Sequence, residues 1–89
     1  MPNSLIGGQI PEMEQLQSNL NNQAGEVLDL MNKLSSDLGN TWWQGGAADR
    51  FRTDWETEYK PALTRLSNAL DDAATEVGRR AQALIEAGG

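Results

Sequence analysis

Thr41-Trp42-Trp43-Gln44-Gly45-Gly46-Ala47-Ala48-Asp49-Arg50-Phe51 decides how the rest of the chain is read. It divides two long segments of helical periodicity. Gly39-Asn40, just before it, reads as a helix C-terminus, because both residues tolerate the left-handed conformation that ends a helix. Gly45-Gly46 adds a second flexible point. Ala47, Ala48 and Phe51 then open a new apolar stripe at helical spacing. The stretch is expected to form the elbow of a helical hairpin, with bulky aromatics on the turn and small residues beside them. An indole can plug the open end of such a hairpin while its N–H reaches a free backbone carbonyl. Two adjacent Trp cannot both point into a two-helix core. One of Trp42 and Trp43 is therefore expected to face a partner or solvent, where aromatics serve as binding anchors. Packing at the hairpin end alone is the plain alternative.

Upstream, residues 1–9 contain Pro2, Gly7 and Gly8, show no periodicity and read as a loose arm. Pro11 suits the first turn of a helix, and Glu12 and Glu14 suit its positive end. From 11 to 39 the apolar residues fall on a seam. Leu20, Ala24, Val27, Met31, Leu34 and Leu38 alternate spacings of four and three, the pattern of a helix packed at a shallow angle on another. Leu28 widens this stripe, and Leu30 lies outside it. Gly25 costs about 1 kcal/mol relative to Ala in a helix, and close approach of another helix at Ala24-Gly25 is one reason to accept it.

The turn occupies 40–46 and the second helix 47–87. Phe51, Trp55 and Tyr59 are spaced by four and read as an aromatic ridge on one face. Leu63, Leu66, Leu70, Ala73, Val77 and Leu84 continue at heptad spacing, with Arg80 on a seam position. Pro61 removes a backbone N–H and clashes with the preceding turn, so a kink is expected near Glu58–Pro61. The two helices would be roughly 40 and 60 Å long. Their apolar stripes are wider than one partner helix can cover. The fold expected is all-α: one domain over 1–89, an antiparallel helix-turn-helix hairpin that pairs with a second hairpin into a four-helix bundle.

Composition narrows the function. The 89 residues contain no Cys and no His. No disulfide can staple the fold, and the commonest metal ligand and general base are missing. No calcium-loop pattern occurs, and Gly45-Gly46 is not a phosphate loop. Ser4, Ser18, Ser35, Ser36 and Ser67 sit in no nucleophile motif, and Asp71-Asp72 reads as a solvated face. Neither an enzyme nor a cofactor site is expected. The net charge of −6 argues against nucleic acid and anionic membrane as partners. Before Gly46 stand Glu12, Glu14, Glu26, Asp29 and Asp37 against Lys33 alone. This is a solvated acidic face or a complement to a basic partner. No apolar run spans a bilayer, and no signal-peptide pattern opens the chain. A short chain without staples gains stability by association with another chain.

Trp43-Gln44-Gly45, followed by Ala47, Ala48 and Phe51, resembles the Trp-x-Gly signature of the WXG family, the ESAT-like small proteins of type VII (ESX) secretion. The resemblance covers essentially the whole chain, with the motif central between two long helices. It implies a homo- or heterodimer recognised by the secretion system's membrane-bound ATPase, and export of the folded protein without a cleaved signal. It also implies a composite surface, in which the Trp-x-Gly turn of one subunit lies near a C-terminal Tyr-x-x-x-Asp/Glu signal. This chain departs from that pattern. Its one tyrosine, Tyr59, is followed four residues on by Leu63. The expectation is thus the signal-lacking member of a heterodimer, secreted with its partner after a cytoplasmic stage. Trp42, Trp43 and Gly45 are assigned to the recognition turn. Leu20, Ala24, Val27, Met31, Leu34, Phe51, Trp55, Leu63, Leu66 and Leu70 are assigned to the dimer interface or bundle core. A homodimeric adaptor or chaperone for a larger effector is the alternative, as is a coiled-coil adaptor unconnected with secretion.

Overall fold

A computed structural model describes residues 2–88, with side chains from residue 9. Helix α1 runs Pro2–Asn40. Helix α2 (Gly46–Asp54), a π-helical turn (Trp55–Tyr59) and helix α3 (Lys60–Gly88) then follow end to end. The described residues are nearly all helical and form a helix-turn-helix hairpin without strands.

Helix α1 begins earlier than its sequence pattern indicates. Residues 2–9, expected as a loose arm, are helical, and Pro11 lies inside the helix rather than at its start. Met1 of that arm lies outside the described residues. Pro2 supplies a physical reason, since its fixed φ suits a first helical turn. The other end differs too. No non-glycine residue has positive φ among those described, and Gly45 is the one glycine that does, at 112°. Gly39-Asn40 therefore ends α1 without a left-handed cap. Thr41 closes it instead: its hydroxyl donates to the Asp37 carbonyl at 2.6 Å, and its N–H to the Leu38 carbonyl at 3.4 Å. The left-handed residue falls where α2 must start in a new direction.

The disturbance expected near Pro61 takes the form of the π-helical turn before it. The Lys60 N–H donates to the Trp55 carbonyl, five residues back. Pro61 has no N–H to offer Thr57, and its ring crowds that carbonyl; a wider turn relieves both. The expected aromatic ridge is split. Trp55 is buried at 7 % exposure, while Phe51 and Tyr59 stay exposed with ring centroids 6.1 Å apart.

The helices cross closely because the residues between them are small. Ala24, Ser67, Ala74 and Ala81 are buried, and Ser67 Oγ donates to the Ala24 carbonyl at 2.9 Å across the seam. Nearer the turn, Ala48 and Trp55 are buried, and Trp55 Nε1 donates to Ser35 Oγ at 2.9 Å. Leu20, Val27, Met31, Leu63, Leu70, Val77 and Leu84 are half-buried along the same line. Arg80 is exposed and pairs with Glu76 at 2.8 Å.

The inner seam of α3 thus uses Ser67, Ala74 and Ala81 beside Leu63, Leu70, Val77 and Leu84. Leu66 and Arg80, from the other half of the heptad pattern, are displaced from it and exposed, while Ala73 is half-buried at its edge. A small residue lets the backbones approach, which a Leu there would prevent.

Close approach occurs at Ala24 but not at Gly25, where an added Cβ would meet nothing within 4 Å. The Gly25→Ala variant is therefore expected to raise hairpin stability by roughly 0.5–1 kcal/mol, through helix propensity alone. Urea unfolding followed by circular dichroism checks the shift.

The result is a rod of 65 × 18 × 15 Å with a Cα radius of gyration of 19.7 Å. A compact domain of this length would have about 12 Å. With two helices and no third layer, each helix can cover only one side of the other.

Candidate partner-recognition surface

The turn is built by main chain and one arginine. Gly45 caps α2, its carbonyl accepting from the Asp49 N–H at 3.0 Å. Arg52, one turn after Ala48 and three residues before Trp55, shares their inward phase and is half-buried. Its guanidinium donates to the Trp43 carbonyl at 2.8 Å and to the Thr41 carbonyl at 3.2 Å. Two free carbonyls of the turn are therefore met by Arg52, not by an indole. The indole N–H that does find a partner is that of Trp55, which reaches the Ser35 hydroxyl. An arginine fork on the neighbouring helix spans two acceptors at once, which a single indole N–H cannot.

The two adjacent tryptophans part company here. Trp43 packs its ring against Phe51, with centroids 5.7 Å apart, and is 41 % exposed. Phe51 in turn meets Tyr59. Trp42 is 88 % exposed and has no aromatic neighbour within stacking distance among the described residues. Trp42 is the ring that faces outward, and Trp43 anchors an aromatic row along the rod.

That row continues into an apolar face. On α1, Leu16, Leu30 and Leu34 immediately precede the half-buried Gln17, Met31 and Ser35. On α3, Leu66 and Ala73 immediately precede the buried Ser67 and Ala74. Each step from an inward residue to its predecessor turns the same way round its helix. Because the helices are antiparallel, both steps lead to the same side of the hairpin. Leu16, Leu30, Leu34 and Leu66 are all exposed there, at 48, 51, 39 and 47 %. Near the far end, Met13 and Leu84 line a shallow groove with Arg80, Ala83 and Ala87.

The residues singled out from sequence are therefore distributed over three settings. Ala24 and Trp55 are buried within the hairpin. Leu20, Val27, Met31, Leu63 and Leu70 are half-buried at the seam. Leu34, Phe51 and Leu66 stand exposed on the apolar side, and Trp42, Trp43 and Gly45 form the turn. Sequence reasoning passed over Arg52, Ser35 and Ser67. A basic residue on the buried phase of Ala48 and Trp55 was the signal for Arg52. Nothing in the spacing marked the two serines.

Among the described residues there is no group of carboxylates that could hold a metal, and no helix is long and apolar enough to cross a membrane. Every buried side-chain polar atom among them has a hydrogen-bond partner. What the surface offers is contact area, aromatic and aliphatic, with the Thr41 and Trp43 carbonyls tied down.

Comparison with the curated proteins and with the solved structures returns no match. The family described as WXG100, proteins of 100 residues with WXG, matches residues 7–88. That span takes in the turn, both faces of the hairpin and nearly the whole chain. With Trp43-Gln44-Gly45 at the bend of a helix-turn-helix hairpin, the chain belongs to the WXG100 family.

Proposed function

We propose that this protein is a substrate of a type VII secretion system, exported without a cleaved signal as one half of a heterodimeric four-helix bundle. Its partner is a second WXG-type hairpin. The observation that carries this reading is the apolar side that the hairpin leaves uncovered, with Leu30, Leu34 and Leu66 about half exposed on it. A second hairpin laid along that side would bury both rows and turn two layers into four helices around one core. No enzymatic step, cofactor or metal enters this role.

The turn is the second half of the proposal. Trp42, Trp43 and Gly45 complement an export signal carried by the partner, and the dimer presents both to the membrane-bound ATPase. Tyr59 is already committed to the row with Phe51, which supports assigning the signal's tyrosine to the other chain. The protein has a cytoplasmic stage before export and no stable membrane insertion.

The test is Trp43→Ala, co-expressed with the WXG-type partner in the secreting cell. Dimer formation is expected to weaken modestly, because Trp43 touches Phe51 at one end of the rod. Export of both chains is expected to fall about tenfold or more, the usual scale for losing an aromatic anchor. Unchanged pairing together with unchanged export would remove the turn from the recognition surface.

A further inference from the structure

We propose that Arg52 is the positioning residue of the turn: its guanidinium clamps the main chain on either side of Trp42, so that this ring projects outward from a fixed point on the backbone. The inference rests on the turn being the recognition surface, and it adds a residue outside the Trp-x-Gly motif.

Four observations converge on Arg52. The main-chain hydrogen bonds around the turn are those of Thr41 to Leu38 and Asp49 to Gly45. Between them, Trp42, Trp43 and Gln44 make no such bond among the described residues. The clamp that remains is Arg52, with bonds of 2.8 Å to the Trp43 carbonyl and 3.2 Å to the Thr41 carbonyl. The Thr41 carbonyl belongs to the peptide unit entering Trp42 and the Trp43 carbonyl to the one leaving Trp43, so the arginine ties the main chain on both sides of the Trp42-Trp43 pair.

The third observation is where this charge sits. Arg52 occupies the inward phase of α2 and is half-buried, although no carboxylate lies within ion-pair distance among the described side chains. Taking a guanidinium partly out of water without an ion pair is unfavourable unless its donors are satisfied. Packing alone would be served better by a leucine there. The two carbonyls explain the choice, and a planar fork is the group whose geometry spans them.

The fourth observation is Trp42 itself. At 88 % exposure it has almost no contact surface within the hairpin, so the direction of its Cα–Cβ bond is set by the backbone beneath it alone. A ring on a tied backbone loses less freedom on binding than one on a loose loop. Arg52 therefore raises affinity for the recognising partner without touching it.

The experiment uses the full chain in complex with its WXG-type partner, as Arg52→Met and Arg52→Lys. Methionine keeps much of the stem and loses every donor; lysine keeps the charge but not the fork. Backbone amide order parameters are measured by NMR for Trp42, Trp43 and Gln44, with α1 and α3 as the internal control. The wild-type turn is expected near 0.85 and the Met variant below about 0.6, while the helices stay unchanged. The Lys variant is expected between the two. Co-export of the pair is expected to fall about tenfold in Arg52→Met, with dimer formation retained.

A turn as rigid in both variants as in the wild type would overturn the proposal. So would a loss of order spread equally over the helices, because Arg52 would then be an ordinary packing residue. A loosened turn with undiminished co-export would leave Arg52 as the clamp and overturn the recognition role of the turn instead.

Discussion

Trp55→Ala is expected to destabilise the hairpin by about 3–5 kcal/mol, the range for deleting a buried aromatic side chain. The reason lies in what else is buried. Ala24, Ala48, Ala74 and Ala81 each bring one methyl group to the interior, and Ser67 a hydroxymethyl. Trp55 is the one large side chain buried among the described residues. It also ties the helices together through its bond to Ser35 Oγ at 2.9 Å. Domains of ordinary size are stable by only about 5–15 kcal/mol, and a two-helix rod stands at the low end. Helicity at room temperature is therefore expected to collapse in the isolated variant. Trp55→Phe separates the two contributions. It keeps most of the ring and loses the N–H, so a smaller cost is expected, with about 1 kcal/mol of it from the hydrogen bond. Circular dichroism against urea, on both variants, reads the difference. A Trp55→Ala chain as helical and as resistant as the wild type would show that the seam of small residues holds the hairpin unaided.

Leu66→Asp is expected to do the reverse, leaving the hairpin intact and abolishing its pairing. Leu66 is 47 % exposed in the single chain, so an aspartate there remains solvated and the inner seam at Ser67 is untouched. In a four-helix bundle the same position faces the second hairpin. A carboxylate buried there without a counter-charge costs several kcal/mol. Affinity for the partner is expected to drop by about two orders of magnitude or more, with the helical signal of the free chain unchanged. Leu30→Asp, on the matching row of α1, should behave alike. Titration by calorimetry measures both. Pairing at wild-type strength in both variants would place the partner on another side of the rod.

The pattern of Leu20, Ala24, Val27 and Met31 was legible as a helix seam, and the glycine-rich bend as a turn, because heptad spacing and helix-ending residues are local properties. The division of the second helix was harder to read. Leu63, Leu66, Leu70 and Ala73 form an unbroken heptad series, yet Leu63 and Leu70 face the seam while Leu66 faces away. A heptad marks two adjoining faces equally, and hydrophobicity favours Leu66 over Ser67 for the interior. Close approach of the backbones reverses that preference, and the Ser67 hydroxyl finds its acceptor on the Ala24 carbonyl. Neither condition is visible without the second helix. The same holds for Phe51, Trp55 and Tyr59, whose even spacing shows neither that Trp55 takes the inward phase of Ala48 and Arg52 nor the π-helical turn that follows. The start of α1 at Pro2 rather than Pro11 went unread because Gly7 and Gly8 weaken any helical pattern there. For the turn, the sequence reading gave a free carbonyl to an indole. Arg52 meets them because α2 folds back beneath the turn, a relation between segments that spacing alone does not encode.

Along its apolar side this hairpin is expected to be completed by another chain. Light scattering on the purified chain, with a circular-dichroism melt and then the same pair of measurements after adding the WXG-type partner, tests it most directly. The expected result is a chain of about one 9.7 kDa mass that melts at low temperature alone, and a complex of two hairpins with a sharp, higher transition. A lone chain that is fully helical, monomeric and as heat-resistant as the mixture would contradict it. A stable dimer of the lone chain would keep the pairing surface but replace the heterodimer by two copies of this protein.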